Sequence, residues 1–158
     1  MAVPEGKYIL IVEDDPDQSE FIAKHLRRRF PRHAVEVVET ESAFRERFAE
    51  FSLQPPAVAI IDIILRWSDP DHIPPRPPEV DAGGFQEAGL RCEQLLRDDP
   101  HTAQVPVILY TVTARDRWAE ELNAANEDRR KRGLPEIDFL TKEPDIEPLL
   151  AVLRNRLS

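Results

Sequence analysis

The sequence predicts an α/β fold in which a five-stranded parallel sheet carries helices on both faces. Five short apolar runs alternate along the chain with five segments of helical periodicity. The third run, residues 57–61, is apolar throughout, as expected of a strand that helices cover on both faces. With 158 residues, 41% of them hydrophobic and 32% charged, the chain has the size and composition of one globular domain.

Each element has its own local signal. The predicted strands are apolar runs between turn residues and span residues 7–12, 34–38, 57–62, 105–111 and 137–141. The first helix begins at the capping residue Asp15, with Pro16 at its first position, and runs to about residue 30. Thr40 caps a second helix whose phenylalanines recur at positions 44, 48 and 51. Apolar stripes predict three more helices over 85–96, from 118 to a stop at Gly133, and over 146–157.

Residues 66–81 form the one compositionally biased segment. Five prolines lie between Pro70 and Pro78, so we expect neither strand nor helix there. The stretch "PPRPPEV" favours polyproline II. Long ordered loops of this kind are usually functional or mobile, which leaves a lid, a flexible spacer and a partner-docking segment as alternatives.

Charge and cysteine content exclude several classes of protein. The formal charge of −9 has the wrong sign for general binding to nucleic acid. Two basic clusters, residues 27–29 and 129–132, are interpreted as solvated helix ends or as docking sites for an acidic partner. No apolar stretch has membrane-spanning length, and no secretion signal is present. Cys92 is the only cysteine and lies in an apolar helical stripe, so we expect a core residue and a cytoplasmic protein.

Chemically capable side chains follow four of the predicted strands. Glu13, Asp14 and Asp15 follow the first strand, and Asp62, Thr111 and Lys142 end or follow the third, fourth and fifth. The carboxyl ends of parallel strands meet at one edge, where ligands of such folds bind. Clustered carboxylates there need a cation, and Mg²⁺ is the natural one. Asp62 would be a nucleophile toward phosphorus, while Lys142 and Thr111 bind the phosphoryl oxygens.

Each of these residues has a simpler interpretation when it is taken alone. The acidic triplet favours a helix start through the helix dipole. Asp62 would cap a turn, and a lone lysine usually lies on the surface. The combination of acids, hydroxyl and lysine at the ends of strands one, three, four and five carries the hypothesis.

At these residues the chain resembles the receiver domain of two-component response regulators. "YILIVEDDPD", "AIIDIIL", "PVILYT" and "FLTKEP" match the family's four site strands, so the resemblance covers residues 7–157. It implies a flavodoxin-like sheet of strand order 2-1-3-4-5, with residues 1–6 as an N-terminal tail and residues 7–158 as the receiver domain. It also implies phosphorylation of Asp62. The implied Mg²⁺ ligands are Glu13, Asp14, Asp62 and the main-chain carbonyl of Ile64, and Phe139 is the implied switch aromatic.

The sequence departs from the family pattern at several positions near this site. Arg66 stands where the family usually has proline, and the insertion over about residues 66–81 follows it. Val112 replaces a smaller residue, which would narrow access to the phosphate. Thr113 competes with Thr111 for the switch role, and we prefer Thr111 because it lies five residues after Pro106. Ile64 stands where the family places a side chain that helps to position the hydrolytic water.

The resemblance implies a phosphoacceptor signalling protein rather than an enzyme that acts on other molecules. We expect a stand-alone response regulator that is phosphorylated by a histidine kinase or phosphotransfer protein and binds an output protein, with homodimerisation as an option. No direct contact with nucleic acid or membrane is expected. The alternative is a receiver-like interaction module that no longer switches. A metal-dependent phosphatase is disfavoured because no second acid stands two residues after Asp62.

Overall fold

Five parallel strands form one sheet in the computed structural model, which describes residues 7–158. They are β1 (Tyr8–Val12), β2 (Ala34–Val38), β3 (Val58–Ile61), β4 (Val107–Thr111) and β5 (Asp138–Thr141). The order across the sheet is β2-β1-β3-β4-β5. This flavodoxin-like topology confirms the predicted fold class. The tail predicted for residues 1–6 lies outside the described residues.

Seven α-helices connect or follow these strands within the described chain. They are α1 (Pro16–Arg29), α2 (Glu41–Glu46), α3 (Phe48–Leu53), α4 (Pro78–Gly83), α5 (Ala88–Asp98), α6 (Ala119–Lys131) and α7 (Glu147–Arg156). Short 3₁₀ turns at Phe85–Glu87 and Arg115–Trp118 lead into α5 and α6. No helix among residues 7–158 is long and apolar enough to cross a membrane.

Alternate residues of the central strands pack into two separate cores. Tyr8, Leu10 and Val12 of β1 belong to the core that also contains residues of α2, α3, α5 and α6. Ile9 and Ile11 face the other way, into the core shared with α1 and α7. Helices therefore cover both faces, which is the reason that the central strands read as continuous apolar runs. Cys92 is fully buried in the first core, as predicted.

Two predicted helices and one predicted strand differ in their details. The helix carrying the three phenylalanines is interrupted at Arg47, which separates α2 from α3. The 85–96 helix begins as a 3₁₀ turn and becomes α-helical at Ala88. β4 begins at Val107 rather than at residue 105, next to Pro106, which has no N–H for a sheet ladder.

The proline segment contains a helix, so the expectation of no helix through Pro78 was wrong. Residues 66–77 have neither helix nor strand, but α4 begins at Pro78. Proline is compatible with the first position of a helix because the N–H that it lacks would have no partner there. Val80 anchors α4 in the interior, with 3% of its surface exposed. Gly84, with φ of 68°, ends the helix in a conformation that glycine adopts readily.

One member of the second basic cluster is buried, which corrects its interpretation as a solvated helix end. Arg129 of α6 is fully buried, and its Nε donates to Oε2 of Glu93 in α5 at 2.9 Å. Its Nη1 donates to the main-chain oxygen of Pro135 at 2.9 Å. Arg130 is exposed and pairs with Glu136, as a solvated helix end would. The predicted helix stop is confirmed at Gly133, which has φ of 70°.

Candidate functional site

Three predicted site residues meet where β1, β3 and β5 end. The main chain continues the sheet ladder just past each strand: the N–H groups of Glu13, Asp62 and Lys142 donate to the carbonyl oxygens of Val38, Val12 and Thr111 at 3.0, 2.9 and 2.6 Å. These bonds hold the three residues to the edge of the sheet. Their side chains converge, so the structure brings these three predicted residues together.

Lys142 links the two buried carboxylates. Its Nζ donates to Oδ2 of Asp62 at 2.9 Å and also to Oε1 of Glu13. Asp62 and Glu13 are 8% and 2% exposed. One ammonium group therefore compensates two carboxylates that are largely removed from water. When both carboxylates are ionised, one negative charge of the trio remains uncompensated.

The surroundings of this trio shift the pKa values of Glu13 and Lys142. Burial, together with repulsion from Asp62, raises the pKa of Glu13 to about 7, although Lys142 counteracts both effects. Burial acts to lower the pKa of Lys142, but attraction to Asp62 and Glu13 outweighs it and the pKa of the ammonium group is raised. Lys142 is therefore charged at neutral pH. It is suited to bind an incoming anion.

Asp62 has one oxygen that is free to take a new partner. Oδ1 of Asp62 is buried and accepts no hydrogen bond within the described residues. A buried acceptor without a partner is uncommon, because it has lost its hydrogen bonds to water. This oxygen retains acceptor capacity that a cation could use.

Gly89 allows α5 to approach the main chain at Asp62. A Cβ at position 89 would lie 2.1 Å from the carbonyl oxygen of Asp62 and 2.6 Å from Cα of Ile63. The N–H of Gly89 donates to the carbonyl oxygen of Ile63 at 2.8 Å. In the sequence Gly89 is only a member of the apolar stripe over residues 85–96, and no local signal there indicates its approach to Asp62.

Thr111 ends β4 and is fully buried, whereas Thr113 lies beyond the strand. The two hydroxyl oxygens are 3.4 Å apart, and the indole N–H of Trp118 donates to the Thr113 hydroxyl at 3.3 Å. Trp118 is itself buried at the end of the 3₁₀ turn that leads into α6. A chain of polar contacts thus runs from Thr111 to this turn. Sequence reasoning did not identify Trp118 as part of it.

Phe139, Ile64 and Val112 have different surroundings. Phe139 is a half-buried residue of β5 that is paired with Leu109 and packs against the core containing Trp118. Ile64 follows Asp62 by two residues and lines a cavity of about 570 Å³ beneath the proline segment. Val112 is 68% exposed and lines a second groove, of about 580 Å³, beside Lys142. The structure thus places Val112 in an exposed position in the groove that Lys142 also lines.

Asp14 is the predicted carboxylate ligand that does not belong to the trio. Its Oδ2 accepts from the main-chain N–H of Arg66 at 3.0 Å, and its carbonyl oxygen accepts from Nη1 of the same residue at 3.0 Å. Asp14 is therefore held by the first residue of the proline segment. Sequence reasoning noted that Arg66 departs from the family pattern but not that it contacts Asp14.

The donor set has the chemistry that a divalent cation requires. Glu13, Asp14 and Asp62 offer carboxylate oxygens, and Oδ1 of Asp62 lacks a partner. Within residues 7–158, however, no three acidic, histidine or cysteine side chains converge closely enough to hold a metal ion. Asp14, bound to Arg66, is the carboxylate that stands apart from the other two. The residues fit the cation, provided that Asp14 turns toward Asp62.

Comparison with solved structures shows which proteins share this fold. The signal receiver domain of a signal transduction histidine kinase from Syntrophus aciditrophicus aligns with a TM-score of 0.64 and 24% identity, covering 96% of this chain and 90% of that one. The signal receiver domain of a DNA-binding response regulator from Colwellia psychrerythraea 34H aligns with a TM-score of 0.65 and 17% identity, over 95% and 97% of the two chains. The chemotaxis protein CheY4 of Vibrio cholerae gives 0.64 and 17%, over 96% and 98%.

Two of these structural neighbours are signal receiver domains and the third is a chemotaxis protein, and the chain has the fold that they share. No protein-family model matches the chain, and no curated protein sequence is significantly similar to it. At identities below 25% the structural likeness establishes the fold alone. The chemistry therefore depends on the residues at the edge of the sheet.

Proposed function

We propose that this protein is a response regulator that accepts a phosphoryl group on Asp62 from a histidine kinase or phosphotransfer protein. The observation that carries the proposal is the contact of Asp62 with Lys142, which leaves Oδ1 of a buried carboxylate without a partner. A buried carboxylate at the carboxyl edge of a parallel sheet, beside a charged lysine, is suited to nucleophilic attack on a phosphoryl group.

The transfer follows from the positions of the side chains. A carboxylate oxygen of Asp62 forms a bond to phosphorus, while the bond from phosphorus to the donor imidazole nitrogen breaks. The other ring nitrogen of the donor imidazole carries a proton, so the imidazole keeps the electron pair of the broken bond and leaves as a neutral group. Lys142 already contacts Asp62, so its ammonium group binds a phosphoryl oxygen as the oxygen arrives. The buried hydroxyl of Thr111 is the nearby donor that would turn to a second oxygen.

A divalent cation such as Mg²⁺, held by Glu13, Asp14, Asp62 and the carbonyl oxygen of Ile64, would neutralise charge on the transferring phosphoryl group. Lys142 would then exchange its contact with Glu13 for one with the phosphoryl oxygens. The negative charge that the trio leaves uncompensated favours the arrival of such a cation. Output is by binding to another protein.

Intact-mass measurement after incubation with acetyl phosphate and Mg²⁺ tests this proposal. The wild type should gain the mass of one phosphoryl group, and Asp62→Asn should gain nothing. Asp71→Asn, which changes an exposed acid of the proline segment, is the matched control and should be phosphorylated like the wild type. A mass gain that persists in Asp62→Asn would overturn the assignment, and no gain in the wild type would favour the non-switching interaction module.

A further inference from the structure

Arg66 donates three hydrogen bonds from its side chain and main chain, and two of them go to Asp14. Its main-chain N–H binds the Asp14 carboxylate and its guanidinium binds the Asp14 carbonyl oxygen, both at 3.0 Å. The third contact joins Nη2 to Oδ1 of Asp69, also at 3.0 Å. Asp14 and Arg66 are 52 positions apart in the chain. The contact thus ties the end of β1 to the start of the proline segment.

The chain around Arg66 is held in place by further bonds. The N–H groups of Glu41 and Ser42 in α2 donate to the carbonyl oxygens of Arg66 and Trp67 at 3.1 and 2.8 Å. The indole N–H of Trp67 donates to the carbonyl oxygen of Pro74 at 2.8 Å. These bonds fix the main chain at Arg66, so its position next to Asp14 does not depend on the Arg66 side chain alone.

This contact opposes the arrangement that a divalent cation needs. The carboxylate of Asp14 has to join Glu13 and Asp62, but one of its oxygens already accepts from Arg66. The guanidinium of Arg66 also places a positive charge beside Asp14, and like charges repel an arriving cation. The hydrogen bond and the positive charge both weaken cation binding, and both arise from Arg66.

We infer that Arg66 competes with the divalent cation for Asp14, so that the proline segment sets the cation affinity of the site. Binding of the cation releases Asp14 from Arg66 and loosens the start of the segment. Phosphoryl transfer is thereby coupled to the segment that covers the cavity beside Ile64. The inference rests on the proposed function in one respect, the use of these carboxylates as cation ligands.

The test is a titration of the metal-free protein with Mg²⁺, followed by calorimetry and by the fluorescence of Trp67 in a Trp118→Phe background. Arg66→Ala removes the guanidinium but keeps the main-chain N–H. The variant therefore loses the charge-assisted contact between the guanidinium and the carbonyl oxygen of Asp14. We expect Mg²⁺ to bind Arg66→Ala roughly tenfold more tightly than the wild type. The matched control is Arg76→Ala, which removes the same charge from the same segment. Arg76 pairs with Asp81, lines the same cavity and does not contact Asp14 within the described structure.

Each outcome decides the inference. The inference is supported if Mg²⁺ binds Arg66→Ala more tightly than the wild type while the Mg²⁺ affinity of Arg76→Ala is unchanged. Equal tightening in both variants overturns it in favour of general electrostatics, and weaker binding in Arg66→Ala overturns it by showing that Arg66 orients Asp14 for the cation. Absence of Mg²⁺ binding in all variants also overturns it. The mass measurement on the wild type reports separately on the proposed function, since Asp62 phosphorylation can fail while the affinity difference remains.

Discussion

The Nζ of Lys142 lies 2.9 Å from Oδ2 of Asp62, so the ammonium group of the residue that follows β5 is bound to the candidate nucleophile that follows β3. Glu13, at the end of β1, shares the same ammonium group. Three strand ends are thus joined by one buried ionic cluster. The stability of this edge of the sheet and its chemistry depend on the same lysine.

Replacing Lys142 should destabilise the metal-free protein. Lys142→Met leaves Glu13 and Asp62 buried without their cation, and removal of one partner from a buried ion pair costs about 3 kcal/mol of unfolding free energy. Urea denaturation in the presence of a chelator measures this loss. Lys131→Met is the control, because Lys131 is exposed and pairs only at the surface with Glu127. Equal stability of the two variants would show that the cluster is not effectively buried.

A side chain at position 89 of α5 should disturb the site through the main chain of Asp62. Gly89→Ala places a Cβ against the Asp62 carbonyl oxygen, so α5 has to move away from the strand end. We expect a loss of about 2 kcal/mol, typical of overpacking, together with slower phosphorylation of Asp62. Thermal denaturation and the rate of mass gain measure the two effects. Gln94→Ala, on the exposed side of α5, should change neither.

The two neighbouring arginines of α6 should differ sharply in their effect on stability. Arg129→Met leaves Glu93 of α5 without one of its two arginine partners in the interior, and we expect about 3 kcal/mol of destabilisation. Arg130→Met removes only an exposed pair with Glu136 and should leave stability almost unchanged. Urea denaturation of both variants provides the comparison. Similar midpoints would contradict the structural role assigned to Arg129.

The contacts of Thr111, Thr113 and Trp118 predict separate effects for the two threonines. In a Trp67→Phe background, phosphorylation or a beryllofluoride complex should change Trp118 fluorescence, because Thr111 turns from Thr113 to the phosphoryl group. Thr111→Val should abolish this change. Thr113→Val removes the acceptor of the indole N–H, so it should shift the resting spectrum and preserve a response. The reverse pattern would assign the switch to Thr113.

The side chain of Ile64 predicts a long-lived phosphorylated state. An isoleucine cannot hydrogen-bond the water that attacks phosphorus, so Ile64→Asn should accelerate loss of the phosphoryl group by about tenfold or more. Decay of the phosphorylated protein after removal of the donor measures this rate. Ile73→Asn, an exposed change within the proline segment, is the matched control. Fast decay in the wild type, unaltered by Ile64→Asn, would refute the prediction.

Local patterns made most elements predictable. Asp15 and Thr40 accept from main-chain N–H groups at the starts of α1 and α2, as their capping signals indicated. The helix α4 was missed although Pro78 and Glu79 are a recognisable helix start, because the density of prolines before them dominated the interpretation. The break at Arg47 was missed because the phenylalanine spacing continues across it.

Contacts between distant residues were not predictable in the same way. Arg129 and Glu93 are 36 positions apart, and nothing in the run of basic residues distinguishes Arg129 from Arg130. Thr111 and Thr113 have the spacing of residues on one strand face, but the strand ends at Thr111. In both cases the environment of a side chain, rather than its type, decides its role.

By itself the sequence determined the α/β class, the approximate positions of the strands and the residues that follow them, because period and capping are local properties of the chain. It also placed Glu13, Asp62 and Lys142 at one edge, since the carboxyl ends of parallel strands must meet. Only the tertiary structure decided that Lys142 links the two carboxylates and that Arg66 holds Asp14. The reason is physical: which charges pair in the interior depends on distances that arise when segments far apart in sequence pack together.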